Sequence, residues 1–533
     1  TSKTINYTVD TIAELEALAG YDENAVIVVT DENRGGTFVY RSANVATNNG
    51  GTIFNGWTRQ YDGAVNVKWF GVTTSTSTTI TDTTEALQNA IDNCDNLFVP
   101  SGVYAIGNVI IDRNIKIVGT SLADKAKSSS WGTGLPKNVF GGTCFVPIDG
   151  TVGYLFTLDV NQAIVGDWEG HNQGCILDSL SFVDNRSNDV GALDIKFTWH
   201  SSYTNLNFRG LKRGAMSFRL IARESNISNI NTVYCGNFSS SDYEENYGIF
   251  DFTNASSSTY PNNFNFSNIQ TVFSFGSAFK ADNNVGSAVP SVNGVRISNW
   301  YNHGFISSEN GVEFSMTDDQ KENLIVLDMR GAGNLSVSNS QLSIAGSLST
   351  QVRLGKSTAG WIGSSARFSN CNFDGWYDNY LEDTTNIYCD DYTSISFSSC
   401  DFGNSLYILK TGINTNIKMG TSNIFRQEAL LYHPDSASSA KSNHKDTLEI
   451  DSDEKVSNGT FELTTDGWTA GSGTTLSIDT ERLKILNNTN GVYPNAFQKI
   501  TCEVGKYYTI SYELEEGNVS PMEIKVGTTP NSI

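Results

Sequence analysis

Apolar and polar residues alternate in a short phrase that recurs over residues 175–404. In one copy Val295 and Ile297 alternate with Arg296 and Ser298, a pattern typical of a strand with one buried face. The central residues of eight copies lie 24 to 40 residues apart: Leu180, Leu206, Ile230, Ile269, Trp300, Ser340, Cys371 and Cys400. Repetition with such variable spacing predicts structural turns joined by loops of unequal length.

A single strand of this kind cannot cover its apolar face, whereas a stack of them encloses one continuous core. The repeat therefore predicts a parallel β-helix. The residue before each centre is Asn or Ser in all eight copies: Ser179, Asn205, Asn229, Asn268, Asn299, Asn339, Asn370 and Ser399. We expect these side chains to lie at a bend and to hydrogen-bond from coil to coil, which satisfies polar groups left unpaired by the turning strand.

The pattern divides the chain into four segments. Residues 1–75 predict a small α/β lead-in, and residues 76–430 predict the β-helix. The polar residues 431–457 form a linker or neck, and the alternating residues 458–533 predict antiparallel strands of a C-terminal β-domain, which is short for a complete jelly roll.

A helix is predicted over residues 82–94, directly before the first coil. Asp82 is placed as its cap, and its inner face carries Ala86, Leu87, Ala90 and Ile91. A helix in this position can cover the open end of the solenoid core.

Composition narrows the class further. The chain has 57 Asp and Glu against 35 Lys and Arg, so nucleic acid is not an expected partner. No apolar run approaches the length of a membrane span, and membrane insertion is not expected.

The eight cysteines are scattered singly, which favours reduced core thiols over disulfides or zinc and fits synthesis in a reducing cytoplasm. The chain begins at Thr1 without a signal peptide, and we expect an N-terminal part to be missing.

Four stretches carry a resemblance to a known family. GGTFVYRS, NGGTIFNGWTRQYDGAVNVKWFG, DTTEALQNAIDN and LFVPSGVY are similar to the entrance of the pectate-lyase-like β-helix in bacteriophage tailspikes, such as those of phages that infect capsulated Acinetobacter. The resemblance covers residues from about 1 to 430 and implies an all-β, right-handed parallel β-helix. The C-terminal NGTFE followed by GW resembles carbohydrate-binding modules of the jelly-roll type.

The resemblance also implies a function and a setting. Tailspikes are virion proteins, made in the host cytoplasm and attached to the phage tail or baseplate, here through the missing N-terminal part. They are homotrimers that act at the bacterial cell surface, where they bind and usually cleave capsular polysaccharide or lipopolysaccharide. The family supplies no fixed catalytic motif, because active sites differ between proteins that share this fold.

Hydrolysis of a glycosidic bond needs two carboxylates, one protonated as general acid and one ionised as base or nucleophile. The short spacing between the Leu206 and Ile230 coils places His200 under Glu224 and Trp199 under Arg223, one strand apart. The first pair can share a hydrogen bond, and the second can place a guanidinium over an indole. Both pairs reach solvent only if they lie at a bend.

The densest basic stretch of the chain surrounds these pairs: Arg209, Lys212, Arg213, Arg219 and Arg223. Such a patch suits the carboxylates of an acidic capsular sugar. The following loop, SSSDYEENYG, adds Asp242 and Glu245 as acids and Tyr243 and Tyr247 as stacking surfaces. The leading hypothesis makes Glu224 one carboxylate and Asp242 or Glu245 the other, with His200, Arg209, Arg219 and Arg223 binding or orienting substrate.

Rival clusters compete with this site. GDWEGHNQG brings together Asp167, Trp168, Glu169 and His171. NFDGWYDNYLED brings Asp374 and Asp378 beside Trp376, Tyr377 and Tyr380. The pairs Asp318/Asp319 and Asp390/Asp391 lack the spacing of a calcium loop, so neither a metal nor another cofactor is expected.

Two other functions stay open. A lyase would abstract the C5 proton of a uronate with a base such as His200 or His303. A non-catalytic adhesin would use the same aromatic and arginine surface only to bind glycan. The structural alternative is an ordinary polar surface, since an exposed His–Glu pair contributes about 0–1 kcal/mol and acidic loops are usually solvated. A column of small residues is a further candidate for a trimer contact or a glycan floor: Ser267, Ser298, Ser338, Ser369 and Ser398.

Overall fold

The structure is a computed structural model of the 533-residue chain, and it forms two compact units, residues 1–441 and 442–533. The residues that it describes are 7–18, 21–76, 79–122, 141–160, 174–237, 247–253, 261–281, 292–305, 308–309, 312–313, 325–344, 350–355, 365–375, 385–389, 394–402, 407–411, 416–420, 422–425, 430–432, 465–471, 474–478, 483–487 and 496–497.

The first unit begins with a five-stranded sheet around its own core of Phe38, Phe54 and Trp57. Its strands are Tyr7–Val9, Val26–Val29, Gly36–Tyr40, Ile53–Phe54 and Trp57–Arg59, of which the first two are parallel and the others pair antiparallel. A short helix, Ile12–Glu16, and a 3-10 turn, Ser42–Asn44, complete this part. A second 3-10 turn, Val67–Phe70, follows the first β-helix strand and buries Val67 and Phe70 in the β-helix core.

The rest of the first unit is a parallel β-helix with three faces, which confirms the predicted all-β class and solenoid. Face 1 precedes the Asn/Ser bend of each coil, face 2 follows it, and face 3 closes the coil. Five strands run from face 1 through the bend into face 2: Cys175–Val183, Ser202–Arg209, Asn226–Val233, Asn262–Ser274 and Asn293–Phe305. Each pairs in parallel with the corresponding strand of the next coil.

The other coils use separate strands. On face 1 these are Val65–Asn66, Asn96–Val99, Ile115–Gly119, Asn334–Ser338, Ser365–Ser369, Ser394–Ser398 and Asn416–Met419. On face 2 they are Gly102–Ile106, Thr143–Pro147, Gln341–Ile344, Asn372–Gly375, Asp401–Phe402 and Ile424–Phe425. Face 3 consists of Val109–Ile111, Val152–Asp159, Asp189–Trp199, Met216–Arg223, Phe250–Thr253, Phe279–Ala281, Leu327–Met329, Thr350–Leu354, Thr385–Cys389, Tyr407–Thr411 and Leu430–Tyr432. A small antiparallel pair, Ser308–Glu309 with Val312–Glu313, lies apart from the faces.

The predicted register is confirmed. Leu180 pairs with Leu206, Leu206 with Ile230, Ile230 with Ile269, and Ile269 with Trp300. Ser340, Cys371 and Cys400 continue the column, because the residues on either side of them are paired in the same register. Nearly all of these side chains are buried in one core cluster that runs from Val65 to Leu409.

The Asn/Ser bend is confirmed as well. All eight residues have a left-handed backbone, with φ between +49° and +59°. Amide nitrogens donate to the preceding coil at 2.8–3.1 Å from Asn205 to Asp178, Asn229 to Asn205, Asn268 to Asn229, Asn299 to Asn268 and Asn370 to Asn339. Asn tolerates this backbone better than most residues, and its amide both donates and accepts, so the column can continue through many coils.

The helix predicted over residues 82–94 is observed at Thr84–Asn93. Its inner residues Leu87, Ala90 and Ile91 are fully buried in the β-helix core. The N-cap is Thr83, one residue later than predicted, but the Asp82 carboxylate still accepts from the backbone N–H of Thr84 at 2.9 Å.

The second unit is described only in four short strands. Thr469–Ala470 pairs antiparallel with Ala496–Phe497, and Thr474–Ile478 pairs antiparallel with Leu483–Asn487. Most of the predicted linker, from residue 433 onward, lies outside the described residues.

Candidate functional site

The corner where face 3 meets face 1 carries the leading candidate residues. Trp199 and Arg223 pair as the last residues of two neighbouring face 3 strands. The next residues, His200 and Glu224, have left-handed backbones with φ of +53° and +50°. This is the bend that both pairs need in order to reach solvent, and the sequence did not show where it lay.

His200 and Glu224 form a direct pair at this corner. His200 Nδ1 lies 3.1 Å from Glu224 Oε2, and the two side chains are 52% and 38% exposed. The geometric expectation from equal offsets in neighbouring coils is therefore confirmed. An exposed imidazole in contact with a carboxylate can accept, hold and return a proton, which is the elementary step of general acid–base chemistry.

Trp199 and Arg223 form a second stack directly beside this pair. The Arg223 guanidinium carbon lies 5.1 Å from the centroid of the Trp199 ring, within the range of a cation–π contact. Both side chains are partly buried. The corner therefore combines a carboxylate, an imidazole, a guanidinium and an indole within two neighbouring coils.

The same corner continues into the next two coils through residues that sequence reasoning missed. Asn263 follows Glu224 with φ of +59°, and Gly294 follows Asn263 with φ of +71°. The Glu224 backbone N–H donates to Asn262 O at 2.8 Å, which ties the candidate carboxylate to that coil. A β-carbon at Gly294 would lie 2.6 Å from Asn263 Oδ1, so the Asn263 side chain packs closely against the glycine backbone.

The arginines of the basic stretch contact different aromatic and acidic side chains. Arg209 lies 5.9 Å from the Tyr234 ring, and Arg213 lies 5.0 Å from the Tyr247 ring while also bonding Asp189 at 2.5 Å. These guanidinium groups lie on different faces, because Arg209 ends a face 2 strand whereas Arg219 and Arg223 lie on face 3. Their role in binding an acidic sugar stays a prediction.

Arg219 is held in the structure in a way that the sequence did not predict. Its Nε donates to Asp194 Oδ1 at 2.6 Å, and its Nη2 contacts the other carboxylate oxygen. The Asp194 side chain is only 4% exposed. Burial lowers the pKa of Arg219, but the hydrogen bonds and charge of Asp194 outweigh it, and the net shift is upward. Arg219 therefore serves a buried ion pair and is a poor candidate for binding substrate.

A polar cluster surrounds that ion pair on face 3. Lys196 Nζ lies 3.7 Å from Asp159 and 3.9 Å from Asp194, and Arg219 lies 5.9 Å from the Tyr154 ring. Tyr154 has a raised pKa, chiefly through burial, so it stays a neutral phenol. Two carboxylates meet here, but they are 13% and 4% exposed. This cluster is a structural network with little room for a sugar.

Several predicted site residues lie outside the described residues: Trp168, Asp242, Tyr243, Glu245, Trp376 and Asp378, together with Asp167, Glu169, His171, Asp318, Asp319, Tyr377, Tyr380, Asp390 and Asp391. Asp374 and His303 are described in their backbone alone, both on face 2 strands. Asp374 lies four coils beyond Glu224, or about 19 Å at the usual strand spacing. The structure does not bring these two acids together.

The described residues offer neither a metal-binding cluster nor a membrane-spanning helix. No group of three or more His, Cys, Asp or Glu residues that could hold a metal ion occurs among them. Within the same part of the chain, no helix is long and apolar enough to cross a membrane.

No protein-family model and no curated protein matches the sequence. Solved structures similar to this chain include tailspike gp49 of the Acinetobacter baumannii bacteriophage Fri1, a capsular polysaccharide depolymerase, with 14% identity, 80% of this chain and 76% of that chain covered, and a TM-score of 0.47. The gp42 tailspike of Acinetobacter phage vb_AbaP_AS12 is 12% identical over 98% of this chain and 100% of that chain, with a TM-score of 0.49. ORF18 of Geobacillus virus E2 has 16% identity, 78% and 75% coverage and a TM-score of 0.43.

Proposed function

We propose that this chain is a phage tailspike that recognises and depolymerises bacterial capsular polysaccharide by endo-glycosidic hydrolysis. The observation that carries the proposal is the exposed His200–Glu224 pair beside the Trp199–Arg223 stack, on the corner of a parallel β-helix. Carboxylate, imidazole, guanidinium and indole are the groups that a site for an acidic glycan needs. The resemblance of the entrance motifs to tailspikes supports the same assignment.

In this proposal Glu224 is one of the two carboxylates of the hydrolase. His200 bonds one of its oxygens and can exchange a proton with it, while Arg223 offers a positive charge to an acidic sugar. Asp242 or Glu245, on the loop that follows, is the second carboxylate. The protein acts as a homotrimer at the bacterial cell surface, attached to the phage tail or baseplate.

A lyase is the second candidate, favoured by the exposure of His200. Its Nδ1 faces Glu224, which leaves the other ring nitrogen able to accept the C5 proton of a uronate. Loss of this proton would expel the sugar linked at C4 and leave a double bond in the uronate, and this unsaturated product absorbs in the ultraviolet.

The test is to incubate the protein with capsular polysaccharides from candidate hosts and to follow product size and ultraviolet absorbance together. We expect shortened oligosaccharides without absorbance. Glu224→Gln should lower the turnover number by about 100-fold or more, because it removes a group that transfers a proton or attacks the sugar. Asp242→Asn and Glu245→Gln, made singly, identify the second carboxylate.

The control is Glu85→Gln, which removes an exposed carboxylate from the helix Thr84–Asn93 without touching the corner. Glu85→Gln should retain wild-type turnover. Full activity in Glu224→Gln would reject the proposed site. Absorbing products would support the lyase and shift the search to His200 and His303. Tight binding to a capsule without any shortening would leave an adhesin.

A further inference from the structure

Two cysteines occupy the same position in neighbouring coils. Cys371 and Cys400 each follow a left-handed bend residue, Asn370 and Ser399, and begin face 2 of their coils. The flanking residues are in register, with Ser369 paired to Ser398 and Asn372 paired to Asp401. The Asp401 backbone N–H also donates to Cys371 O at 2.8 Å.

This register places the two thiols within reach of a covalent bond. Paired residues on adjacent strands lie about 4.8 Å apart. Disulfides span Cα separations of about 4.4–6.8 Å, so the spacing of adjacent strands is compatible with the bond. Neither thiol takes part in a disulfide in the structure.

The surroundings favour reaction within this pair. Cys371 Sγ also contacts the carbonyls of Ser369 and Val337 at 3.4 and 3.5 Å, and Cys400 Sγ contacts Ser398 O at 3.5 Å. The side chains are 2% and 1% exposed, yet both line a shallow surface depression with Trp300 and Ser340. The depression brings the surface close to both residues, and their burial excludes contact with a thiol of a second protein.

One of the two thiols is the better nucleophile. Interaction with Cys371 lowers the pKa of Cys400 below the usual thiol value, and the same interaction raises the pKa of Cys371. The other described cysteines with a shifted pKa, Cys94, Cys144, Cys175 and Cys235, have it raised by burial. Since the thiolate is the reactive form, Cys400 should react first.

We propose that Cys371 and Cys400 form a redox-sensitive pair that closes to a disulfide between neighbouring coils when the protein meets a peroxide. The Cys400 thiolate attacks one oxygen of hydrogen peroxide and breaks the O–O bond, which yields a sulfenic acid and, with the thiol proton, one water. The Cys371 sulfur then attacks Cys400 Sγ, the S–O bond breaks, and a second water leaves with the Cys371 proton. Two thiols lose two electrons, and one peroxide gains them.

The consequence is a cross-link between two of the last coils of the β-helix. In the reduced protein only the main chain and noncovalent contacts join these coils, whereas the disulfide restricts their separation in the unfolded chain. The oxidised protein should therefore unfold at a higher temperature than the reduced protein.

The test treats the folded full chain with hydrogen peroxide, blocks remaining thiols with an alkylating agent, and measures intact mass and peptides. Trypsin leaves both cysteines and Cys389 on one peptide, because no Lys or Arg lies between Arg367 and Lys410. A protease that cleaves before Asp separates all three, at Asp374, Asp383, Asp390 and Asp391 among others. We expect a loss of about 2 Da and one linked pair of peptides containing Cys371 and Cys400.

Variants separate this pair from general thiol oxidation. Cys371→Ser and Cys400→Ser should each abolish the linked peptides, and with them the rise in unfolding temperature. Cys389 is a buried cysteine on face 3 that lies between Cys371 and Cys400 in the sequence. Cys389→Ser should retain the linked peptides and the rise in unfolding temperature. Wild-type protein that keeps both thiols alkylatable after peroxide, or that links either of them to Cys389, would overturn the proposal regardless of how the variants fold.

Discussion

Left-handed backbones recur at the corners of the coil, and at two of these corners the side chains differ in kind. On the corner between faces 1 and 2, Asn after Asn donates to the previous coil and accepts from the next, so the residues serve the fold. On the corner between faces 3 and 1, His200 and Glu224 form one pair and the column then passes to Asn263 and Gly294. His200 and Glu224 thus adopt this sparsely populated backbone without joining a ladder, which is consistent with the role proposed for them.

The burial of one carboxylate leads to a prediction about pH. Asp184 is 5% exposed and accepts hydrogen bonds from Asn188 N at 3.1 Å and Ser187 Oγ at 3.2 Å. Burial raises its pKa, and the hydrogen bonds from Asn188 and Ser187 oppose this only in part. The folded protein therefore binds this proton more tightly than the unfolded chain does.

The sign follows from linkage. Because the pKa of Asp184 is higher in the folded state, its proton stabilises the fold. This stabilisation is fully present below the pKa of the unfolded state, about 3.9, and is lost as the pH rises through the pKa of the folded state. Asp184→Asn does not titrate. We therefore expect the unfolding free energy of the wild type, minus that of Asp184→Asn, to fall as pH rises from about 3 toward neutrality. Urea unfolding at a series of pH values measures this difference, and a difference that stays flat or rises would contradict it.

At the scale of elements, the Asn ladder makes a second prediction. Asn268 has φ of +55°, donates to Asn229 and accepts from Asn299. Asn268→Ala should lower the unfolding free energy by about 2 kcal/mol, because alanine pays about 1–2 kcal/mol for a left-handed backbone and the exposed amide bonds add less than 1.

Asn268→Gly is the matched control, since glycine adopts the same backbone freely and loses only the side-chain bonds. We expect about half the loss seen with alanine. Urea unfolding of both variants beside the wild type separates the backbone contribution from the hydrogen bonds. Equal losses in the two variants would show that backbone conformation is not what selects Asn at the bend.

Face 3 departs from the simple alternation of a half-buried strand. Its polar column contains Asp194, Asp251 and Asp328, which are 3%, 8% and 2% exposed. Asp328 is held by Arg330 through two hydrogen bonds of 2.8 and 2.7 Å, as Asp194 is held by Arg219. Burial of these carboxylates depends on their partners, so a charged residue on this face does not by itself indicate a site.

At the scale of the whole molecule, residues 1–441 form a compact unit distinct from residues 442–533. One continuous core extends through the β-helix from Val65 to Leu409, within the first unit. We expect a chain that ends at Lys441 to keep the thermal unfolding midpoint of the β-helix to within a few degrees.

Calorimetry of the shortened and full chains checks this expectation. The shortened chain should keep the main transition and lose only the signal contributed by the second unit. A large fall in the midpoint, or a failure of the shortened chain to fold, would show that the β-helix depends on the C-terminal residues for its stability.

Much of the architecture was determined by the sequence alone. Alternation, the recurrence of Asn or Ser before each centre, and equal offsets between short coils predicted the solenoid, the bend, the register and the His200–Glu224 contact. These features are predictable because a parallel stack repeats one local rule, with side chains of period two and each residue above its counterpart. The pairing of Leu206 with Ile230 is one example of this stacking rule.

Only the tertiary structure decided which charges meet and which are buried. The register shifts between Ile195 and Phe197 on face 3, and Leu220 adopts φ of +54°. Beside this irregularity Arg219 bonds the buried Asp194, a partner that the sequence did not indicate. The two hydrogen bonds between Asp328 and Arg330 on face 3 were likewise not indicated by the repeat. Such outcomes depend on packing between coils, which the order of residues along one coil does not encode.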